Sequence, residues 1–432
     1  MKLDNRKTII SWAMYDWANS AFATTIMAVF FPIFFKQYWS VGADVNLSTA
    51  RLGTANSLAG LVVAVLAPVL GAIADCGTSK KKFLLFFAFM GMVMTCCLYM
   101  VSQGNWPLAV VLYVAATIGF SGSNIFYDSL ITVVASDRKM NMVSALGYSL
   151  GYLGGGTLFT FNVWMVLRPE TFGLADQNAA VRFSFLTVGI WWAVFTIPLI
   201  LFVREPHGVE TISGLKMVRA GLAQIRDTFG HIRRNRMVFL FLLAYWFYID
   251  GVDTIIRMGV DYGQSLNLNQ NDLIIAVLVI QFVGFPSAIA YGYLGNRIGA
   301  RRGIFIAIII YIGITISGAF IREGNEFQFY LLAIAIGLFQ GGIQALSRSY
   351  YAGIIPKDKS AEYFGFYNML GKFAAVMGPA LVGLVSLLVA RTSGSSILGT
   401  RVSIASLAIL LVIGGTLLCF VRPIPDNKTE SG

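Results

Sequence analysis

The sequence predicts an all-helical integral membrane protein with twelve transmembrane helices arranged as two six-helix bundles. Three observations predict it: the composition, the number of long apolar segments, and a repeat between the two halves of the chain. Hydrophobic residues make up 57% of the 432 residues and charged residues 12%, whereas soluble globular proteins contain about 25% charged residues. Too few charges remain to solvate the apolar surface in water. This composition excludes a cytosolic enzyme, a secreted disulfide-rich protein and a disordered chain.

Twelve segments, called spans 1 to 12 here, are long enough to cross a bilayer as helices, which takes about 20 mostly apolar residues. They are predicted near 9–36, 51–74, 83–102, 107–135, 143–167, 182–203, 237–259, 273–294, 304–321, 328–355, 363–390 and 401–421. The connecting loops are short, except for a basic segment at 204–236. We therefore expect an N-terminal six-helix bundle at 1–203, a cytoplasmic linker at 204–236 and a C-terminal six-helix bundle at 237–432.

Basic residues in the loops predict the orientation. Lys and Arg are concentrated in the loops on the side of the N-terminus and of the 204–236 segment, and basic loops mark the cytoplasmic face. Both termini are therefore expected in the cytoplasm, with the protein in the cell (inner) membrane. Asp16 and Asn19 interrupt the first apolar run, so a cleaved signal peptide is not expected.

The residue types that make catalytic or metal sites are scarce. The two histidines, His207 and His231, lie in the linker, and the four cysteines form no CxxC pair, so no metal or cofactor is expected. The sequence contains no HExxH or Walker motif, so we expect neither an enzyme nor an ATP-driven pump. The net charge of +11 is dispersed between apolar spans, which indicates cytoplasmic loops rather than a nucleic-acid-binding surface.

The second half of the chain echoes the first at a nearly constant offset. GAIADCGTSKKK from Gly71, after span 2, matches GYLGNRIGARR from Gly292, after span 8. SDRK at 136–139 likewise matches PKDK at 356–359. Several matches in one register predict two bundles of parallel topology.

Four sequence strings, together with the Gly-x-x-x-Asp loop after span 2, carry a family resemblance. They are YDWANSAF from Tyr15, YIDGVDT from Tyr248, GGIQALSRS from Gly341 and AEYFGFYNMLGK from Ala361. Over essentially its whole length the chain resembles the major facilitator superfamily, and within it the vacuolar amino-acid effluxer-like branch, also called the unknown-major-facilitator family. The resemblance implies a secondary transporter, and family members in vacuoles export amino acids. Cys76 stands where a basic residue is usual, and Asn296 where Asp is usual.

Charged and amide side chains inside the spans are the candidate transport residues. A charge at mid-bilayer costs at least about 2.5–3.5 kcal/mol, so it must face protein or a water-filled cavity. Helical spacing aligns these residues in stripes on spans 1, 4, 7, 10 and 11, and the resemblance implies that the first and fourth helices of each bundle line a central cavity. The predicted substrate and proton cavity comprises Asp16, Asn19, Asn124, Asp128, Asp250, Asp253, Gln340, Gln344, Arg348, Asn368 and Lys372.

Depth along the helices predicts two charge groups. At about 1.5 Å per residue, Asp16, Asp128 and Arg348 lie roughly 10–13 Å from the cytoplasmic ends of their spans. This first group either serves transport or only fixes the helix register. Lys372 and Asp250 lie deeper, roughly 14–20 Å in, and we predict that they pair until a proton or a zwitterionic solute separates them. Asp253, one turn before Arg257 on span 7, either serves transport or is neutralised by that arginine.

The loops after spans 2 and 8 form a second candidate site, a cytoplasmic gate. It comprises Asp75, Lys80, Lys81, Arg297, Arg301 and Arg302. Its basic residues would follow from topology alone, but an acid at position 75 would not. Two interpretations stay open: a topology signal, or a charge latch, implied by the resemblance, that holds the halves together when the cavity faces outward.

The expected function is therefore secondary active transport of a small polar or zwitterionic solute, amino-acid-like and coupled to protons, by alternating access. The expected surroundings are a lipid bilayer and a monomeric state, with no nucleic-acid partner. One alternative is a membrane-integral lipid-handling protein or enzyme, although the sequence contains no catalytic motif for it. The other is a sensor that has kept the fold but lost transport.

Overall fold

Helices make up almost all of the computed structural model, which describes residues 3–42, 45–75, 80–205 and 228–421. Twelve helices in these ranges are long and apolar enough to cross a membrane, and the ranges contain no β-strand. They are Arg6–Trp39, Val45–Asp75, Lys80–Cys97, Trp106–Val134, Met140–Leu167, Gln177–Phe202, Arg236–Ser265, Gln270–Ile298, Ala300–Ala319, Glu326–Ile354, Ser360–Ser393 and Ser396–Cys419. The twelve predicted spans are confirmed. Cys76 and residues 206–227 of the predicted linker lie outside the described residues.

Five of the helices begin at a side chain that accepts a hydrogen bond from the first turn. These N-cap residues are Asn5, Asp176, Asn235, Asn325 and Ser395, before spans 1, 6, 7, 10 and 12. Such caps satisfy backbone N–H groups that the helix itself leaves unpaired. These five side chains therefore help to fix where their helices start.

Span 1 departs from regular α-helical geometry in its second half. Phe22–Phe30 and Phe35–Trp39 are π-helical, on either side of a short α-helical turn that contains Pro32. Pro32 has no backbone N–H to donate, so the hydrogen-bond ladder must shift around it.

The chain forms two compact units. The first comprises Met1–Val134, Leu150–Ile225 and Asp358–Asn368, and the second comprises Ala135–Ser149, Arg226–Lys357 and Met369–Gly432. The start of span 11 thus belongs to the first unit, and the start of span 5 belongs to the second. The bundle boundaries on either side of 204–236 stay a prediction.

Each unit repeats one pattern of helix pairs. In the first unit span 1 packs on span 6, span 2 on span 4, and span 3 on spans 4 and 6. In the second unit span 7 packs on span 12, span 8 on span 10, and span 9 on spans 10 and 12. Each of these pairings in the first unit recurs in the second unit between the spans numbered six higher. The repeat found in the sequence is therefore also present in the helix packing.

Candidate transport site

Asp16 of span 1 lies in an aromatic setting inside the first unit. Its carboxylate accepts a hydrogen bond from the Tyr127 hydroxyl at 2.7 Å. Trp12 stacks on the Tyr127 ring at a centroid distance of 4.4 Å, and its indole N–H donates to the Tyr127 carbonyl at 3.0 Å. Asp16 is only 9% exposed, so a bond to its charged form is worth about 1.5–3 kcal/mol. Tyr127, which the sequence analysis did not single out, orients this carboxylate.

Two predicted cavity residues of the first unit meet directly. The Asn19 side-chain amide of span 1 donates to the Asn124 side-chain oxygen of span 4 at 2.6 Å. Gly151 and Gly154 of span 5 lie against span 1, where an added Cβ would come within 2.7 Å of Ser20 Oγ and 2.5 Å of the Trp17 carbonyl oxygen. Small residues therefore let span 5 approach the polar face of span 1 closely.

The start of span 11 brings Asn368 to Asp128. The Asn368 amide donates to Asp128 Oδ2 at 3.2 Å and to the Phe364 carbonyl at 3.0 Å. These residues were predicted for one cavity, and the first unit holds them in contact.

Asp75 ends span 2 and caps the beginning of span 11. Its carboxylate accepts a hydrogen bond from the backbone N–H of Glu362 at 2.7 Å and forms an ion pair with Lys80 at 2.7 Å. The Lys80 ammonium also donates to Ser360 Oγ at 2.8 Å. A carboxylate at a helix N-terminus satisfies free N–H groups and opposes the helix dipole. Asp75 and Lys80, two predicted gate residues, are thus joined to span 11 within the first unit.

Glycines make this contact possible. An added Cβ on Gly71 would overlap the Ala361 carbonyl, and one on Gly365 would lie 2.5 Å from the Ala67 carbonyl oxygen. In Gly-x-x-x-Asp the glycine lies one helical turn before the acid, on the same face. The glycine admits the span 11 backbone, and the acid then caps it.

Two other predicted gate residues bond to helix C-termini instead. Lys81 donates to the carbonyl of Val203 at 2.8 Å, at the end of span 6. Arg301 donates to the carbonyls of Leu418 at 3.2 Å and Cys419 at 2.8 Å, at the end of span 12. A cation at a helix C-terminus is stabilising because it faces unpaired carbonyls. The remaining predicted gate residues, Arg297 and Arg302, have exposed side chains.

Asp250 of span 7 is fully buried in the second unit. Its Oδ1 accepts hydrogen bonds from the backbone N–H of Gly378 at 3.0 Å and from Thr254 Oγ1 at 3.3 Å. Among the residues that the structure describes, no group donates to its Oδ2. Gly378 precedes Pro379 in span 11, and an added Cβ there would overlap Thr254 Oγ1. Asp250 therefore holds span 11 at its Gly-Pro step.

Lys372 interacts electrostatically with Asp253 rather than with Asp250. Asp253 attracts Lys372, Arg257 repels it, and no ion pair joins Lys372 to Asp250 within the described ranges. Asp253 also interacts electrostatically with Arg257 and with the Gln344 amide of span 10. The predicted Lys372–Asp250 pair is wrong, because depth along a helix gives the height of a side chain but not its direction. The second unit instead gathers Asp253, Arg257, Gln344 and Lys372 into one charge cluster.

Arg348 of span 10 binds the start of span 5 within the second unit. Its guanidinium donates to the hydroxyl and the carbonyl of Ser144, both at 2.9 Å, and lies 4.2 Å from the centroid of the Tyr148 ring. Ser144 in turn donates to the Ala345 carbonyl at 2.7 Å. The predicted group of Arg348 with two N-terminal carboxylates stays a prediction. Sequence reasoning missed Ser144, which lies in none of the motifs or repeats found in the sequence.

Comparison with known proteins identifies the family. A family model described as "Vacuole effluxer Atg22 like" matches residues 41–424. The chain belongs to this family. The uncharacterized MFS-type transporter YxiO of Bacillus subtilis (strain 168) is 39% identical over 95% of this chain and 94% of its own. Autophagy-related protein 22 of Eremothecium gossypii is 22% identical over 88% of this chain and 85% of its own.

Solved structures show the same fold. The proton:xylose symporter XylE has a TM-score of 0.73 at 12% identity, over 96% of each chain. The human organic anion transporter MFSD10 (TETRAN) has a TM-score of 0.71 at 14% identity, over 96% of this chain and 100% of its own. At such low identity the likeness shows the fold alone. The predicted major facilitator fold is confirmed, and the Atg22-like family places the chain among multi-pass membrane transporters rather than enzymes.

Proposed function

We propose that this Atg22-like protein is a secondary active transporter that moves a small zwitterionic, amino-acid-like solute by alternating access, coupled to protons and suited to efflux. The observation that carries the proposal is the charge cluster of the second unit. It presents Arg257 and Lys372 as cations, Asp253 as a carboxylate and Gln344 as an amide, all on membrane spans. Charges are retained inside a membrane protein mainly where they act on a substrate or an ion.

The cluster complements a zwitterion. A solute carboxylate can take Lys372 and Arg257 as partners, and the solute ammonium group can take Asp253. Before the solute arrives, the three charges neutralise one another in part, so the empty cluster avoids an isolated buried charge. A purely cationic solute would take Asp253 and leave two cations without a counter-charge, so it would be rejected, and an apolar solute would offer the cluster no charged partner.

Asp250 supports proton coupling. Its Oδ1 is occupied by Gly378 and Thr254, whereas its Oδ2 is buried and has no donor among the described residues. An ionised oxygen in such a place is costly, and a proton removes that cost. Because Asp250 also acts electrostatically on Asp253 and Arg257, adding or removing one proton changes the charge that the solute meets.

The Asp75 contact supports a gate that opens once per cycle. It joins two helix ends that are 287 residues apart in the chain through one charge-assisted hydrogen bond and two close glycine contacts. A contact of this size can stabilise a conformation in which the end of span 2 lies against the start of span 11. It is also small enough to be broken during each transport cycle. We further propose that both termini are cytoplasmic, that the protein lies in the cell membrane and that it acts as a monomer.

Uptake by proteoliposomes containing the purified protein tests the proposal. A panel of radiolabelled amino acids is offered with and without an imposed pH gradient. At least one is expected to accumulate, faster with the gradient, and Asp253→Asn should abolish accumulation. Asp261→Asn, an exposed acid on the same span, is the matched control and should behave as the wild type. Failure of the whole panel, or equal uptake by Asp253→Asn, would contradict the proposal.

A further inference from the structure

Span 11 is bonded to span 7 beside a break in its own hydrogen-bond ladder. Pro379 lies inside the helix Ser360–Ser393 and has no backbone N–H to give to the carbonyl of residue 375. Directly before it, the backbone N–H of Gly378 donates to Asp250 Oδ1 at 3.0 Å. The backbone beside the break is therefore bonded to a side chain that can bind a proton.

The two helices are in close contact at this point. An added Cβ on Gly378 would overlap Thr254 Oγ1 and lie 2.7 Å from Asp250 Oδ1. Asp250 and Thr254 are both fully buried. Within the described ranges Asp250 forms no ion pair, and the charged groups that act on it are Asp253 and Arg257 of its own span. Its charge is thus balanced at close range by hydrogen bonds from Gly378 and Thr254.

The part of span 11 before this step, residues 360–377, is called the span 11 arm here. Its first turn is bonded to Asp75 through the backbone N–H of Glu362, about 24 Å along the helix from Gly378. The Asp75 contact lies within the first compact unit and the Asp250 contact within the second. A stiff segment that is bonded at two points keeps each contact closed more of the time than either bond would alone.

We propose that Gly378–Pro379 is a hinge controlled by the proton on Asp250. Protonation weakens the bond from the Gly378 N–H, the span 11 arm bends at the hinge, and the Asp75 contact opens. The proposal rests on the proton coupling of the proposed function and adds the route by which the proton acts on the gate.

The proton binds Asp250 Oδ2, the oxygen that has no donor among the described residues. The bond from Gly378 then ends on a neutral carboxyl group instead of a carboxylate. Hydrogen bonds to charged groups contribute more than those between neutral groups, which for one bond corresponds to about a fivefold change in the open fraction. Pro379 lets the helix bend at this step because the ladder is already interrupted there. Loss of the proton restores the original bond.

The solute acts on the same two helices. Lys372, on the span 11 arm, interacts electrostatically with Asp253 of span 7. A zwitterion that takes both charges removes this second attraction between the arm and span 7. Solute and proton together therefore free the arm further than either does alone.

Thiol labelling of Thr132→Cys tests the hinge without any solute. The Thr132 hydroxyl donates to Ser360 Oγ at 3.3 Å, at the start of the arm, and the side chain is buried. Labelling of the full protein in lipid nanodiscs is read by peptide mass spectrometry and normalised at each pH to the rate of the same thiol in denatured protein. The normalised rate should rise at least fivefold from the high to the low end of a pH series. In Asp250→Asn, whose side chain stays neutral, it should keep the low-pH value throughout. A pH response that persists in Asp250→Asn would overturn the proposal.

Pro379→Ala tests the hinge itself and leaves Asp250 in place. Alanine restores the missing N–H and stiffens the helix, so the thermal midpoint should not fall, yet the pH response of the labelling rate should shrink at least fivefold. Pro198→Ala also removes a proline from inside a span, span 6, and should keep the wild-type response. The wild-type response in Pro379→Ala would exclude the hinge.

The outcomes for the hinge and for the proposed function are separate. A labelling rate that does not change with pH in the wild type would overturn the hinge even if uptake is coupled to protons. If no amino acid is transported, the proposed function fails, and the labelling rates still decide the hinge.

Discussion

The backbone N–H of Glu362 donates a 2.7 Å hydrogen bond to the Asp75 carboxylate, so the last residue of span 2 caps the first turn of span 11. The Asp75 side chain is 1% exposed, and Lys80 is its ion-pair partner. One carboxylate therefore serves a helix dipole and a neighbouring cation at once. In the other repeat Asn296 stands at the matching position and is exposed, so this cap is a feature of the first unit.

Asp75→Asn tests the cap. The amide can still accept a hydrogen bond, but it lacks the charge that strengthens the bond, which is worth about 1.5–3 kcal/mol in a buried site. The contact should therefore open at least tenfold more often, toward states accessible from the cytoplasm, while membrane insertion is unchanged. The measurement is the rate at which a thiol reagent modifies Thr132→Cys, which lies beside Ser360.

The control for this experiment is Asp137→Asn. Asp137 forms an ion pair with Lys357 at 3.0 Å, but the two side chains are 54% and 50% exposed, and exposed pairs are worth at most about 1 kcal/mol. The labelling rate should stay at its wild-type value. An unchanged labelling rate in Asp75→Asn as well would show that the cap does not hold the contact.

Gly71→Ala tests the same contact by size rather than by charge. The added methyl would overlap the Ala361 carbonyl, and backbone cannot move aside as a flexible side chain can. We expect a loss of about 1–3 kcal/mol in stability and faster labelling at position 132. Gly60→Ala on the same span, where an added Cβ meets nothing within 4 Å, should be neutral or slightly stabilising. Similar thermal midpoints for the two variants would exclude close packing as the reason for Gly71.

Asp250→Asn separates proton binding from structure. The side-chain oxygen of asparagine can keep the bond from Gly378, so the protein should fold, but the amide cannot take up or release a proton. Uptake should therefore lose its dependence on the pH gradient, with exchange retained. Uptake rates across a pH series check this, and an undiminished pH dependence would make Asp250 structural.

Lys372→Met tests the solute carboxylate site. Removing this cation leaves Arg257 and Asp253 to neutralise each other, so the solute loses a charge-assisted bond worth about 1.5–3 kcal/mol. The KM for uptake should rise at least tenfold, and Lys372→Arg should restore most of the affinity. A KM that is the same in Lys372→Met and the wild type would rule out this lysine as a ligand.

Much of the fold could be predicted because it depends on local properties of the sequence. The length of the apolar segments alone located all twelve spans. The period of the α-helix placed Asn19, Asn124, Asp128 and Asn368 on polar faces of their spans, and in the structure Asn19 contacts Asn124 and Asn368 contacts Asp128. The acid at position 75 left a charge latch after span 2 as one of two open interpretations.

Tertiary contacts could not be predicted from one sequence in the same way. The partner of Lys372 depends on helix rotation, which depth does not give. Lys81 and Arg301 bond to the ends of spans 6 and 12. The sequence alone does not distinguish these helix-capping residues from basic residues that mark topology or close a gate. Only the fold shows that residues 358–368 leave their half of the sequence to join the first unit.

Simultaneous recording of solute and proton movement tests the central claim most directly. Proteoliposomes loaded with a pH-sensitive dye receive an amino acid that the wild type transports, then its amide, then the matching amine without a carboxylate. The account predicts that only the intact zwitterion changes the internal pH, and that Asp250→Asn removes the change while it still exchanges the solute. Solute movement with no proton movement in the wild type, or signals from the amide and the amine as large as the signal from the amino acid, would contradict it.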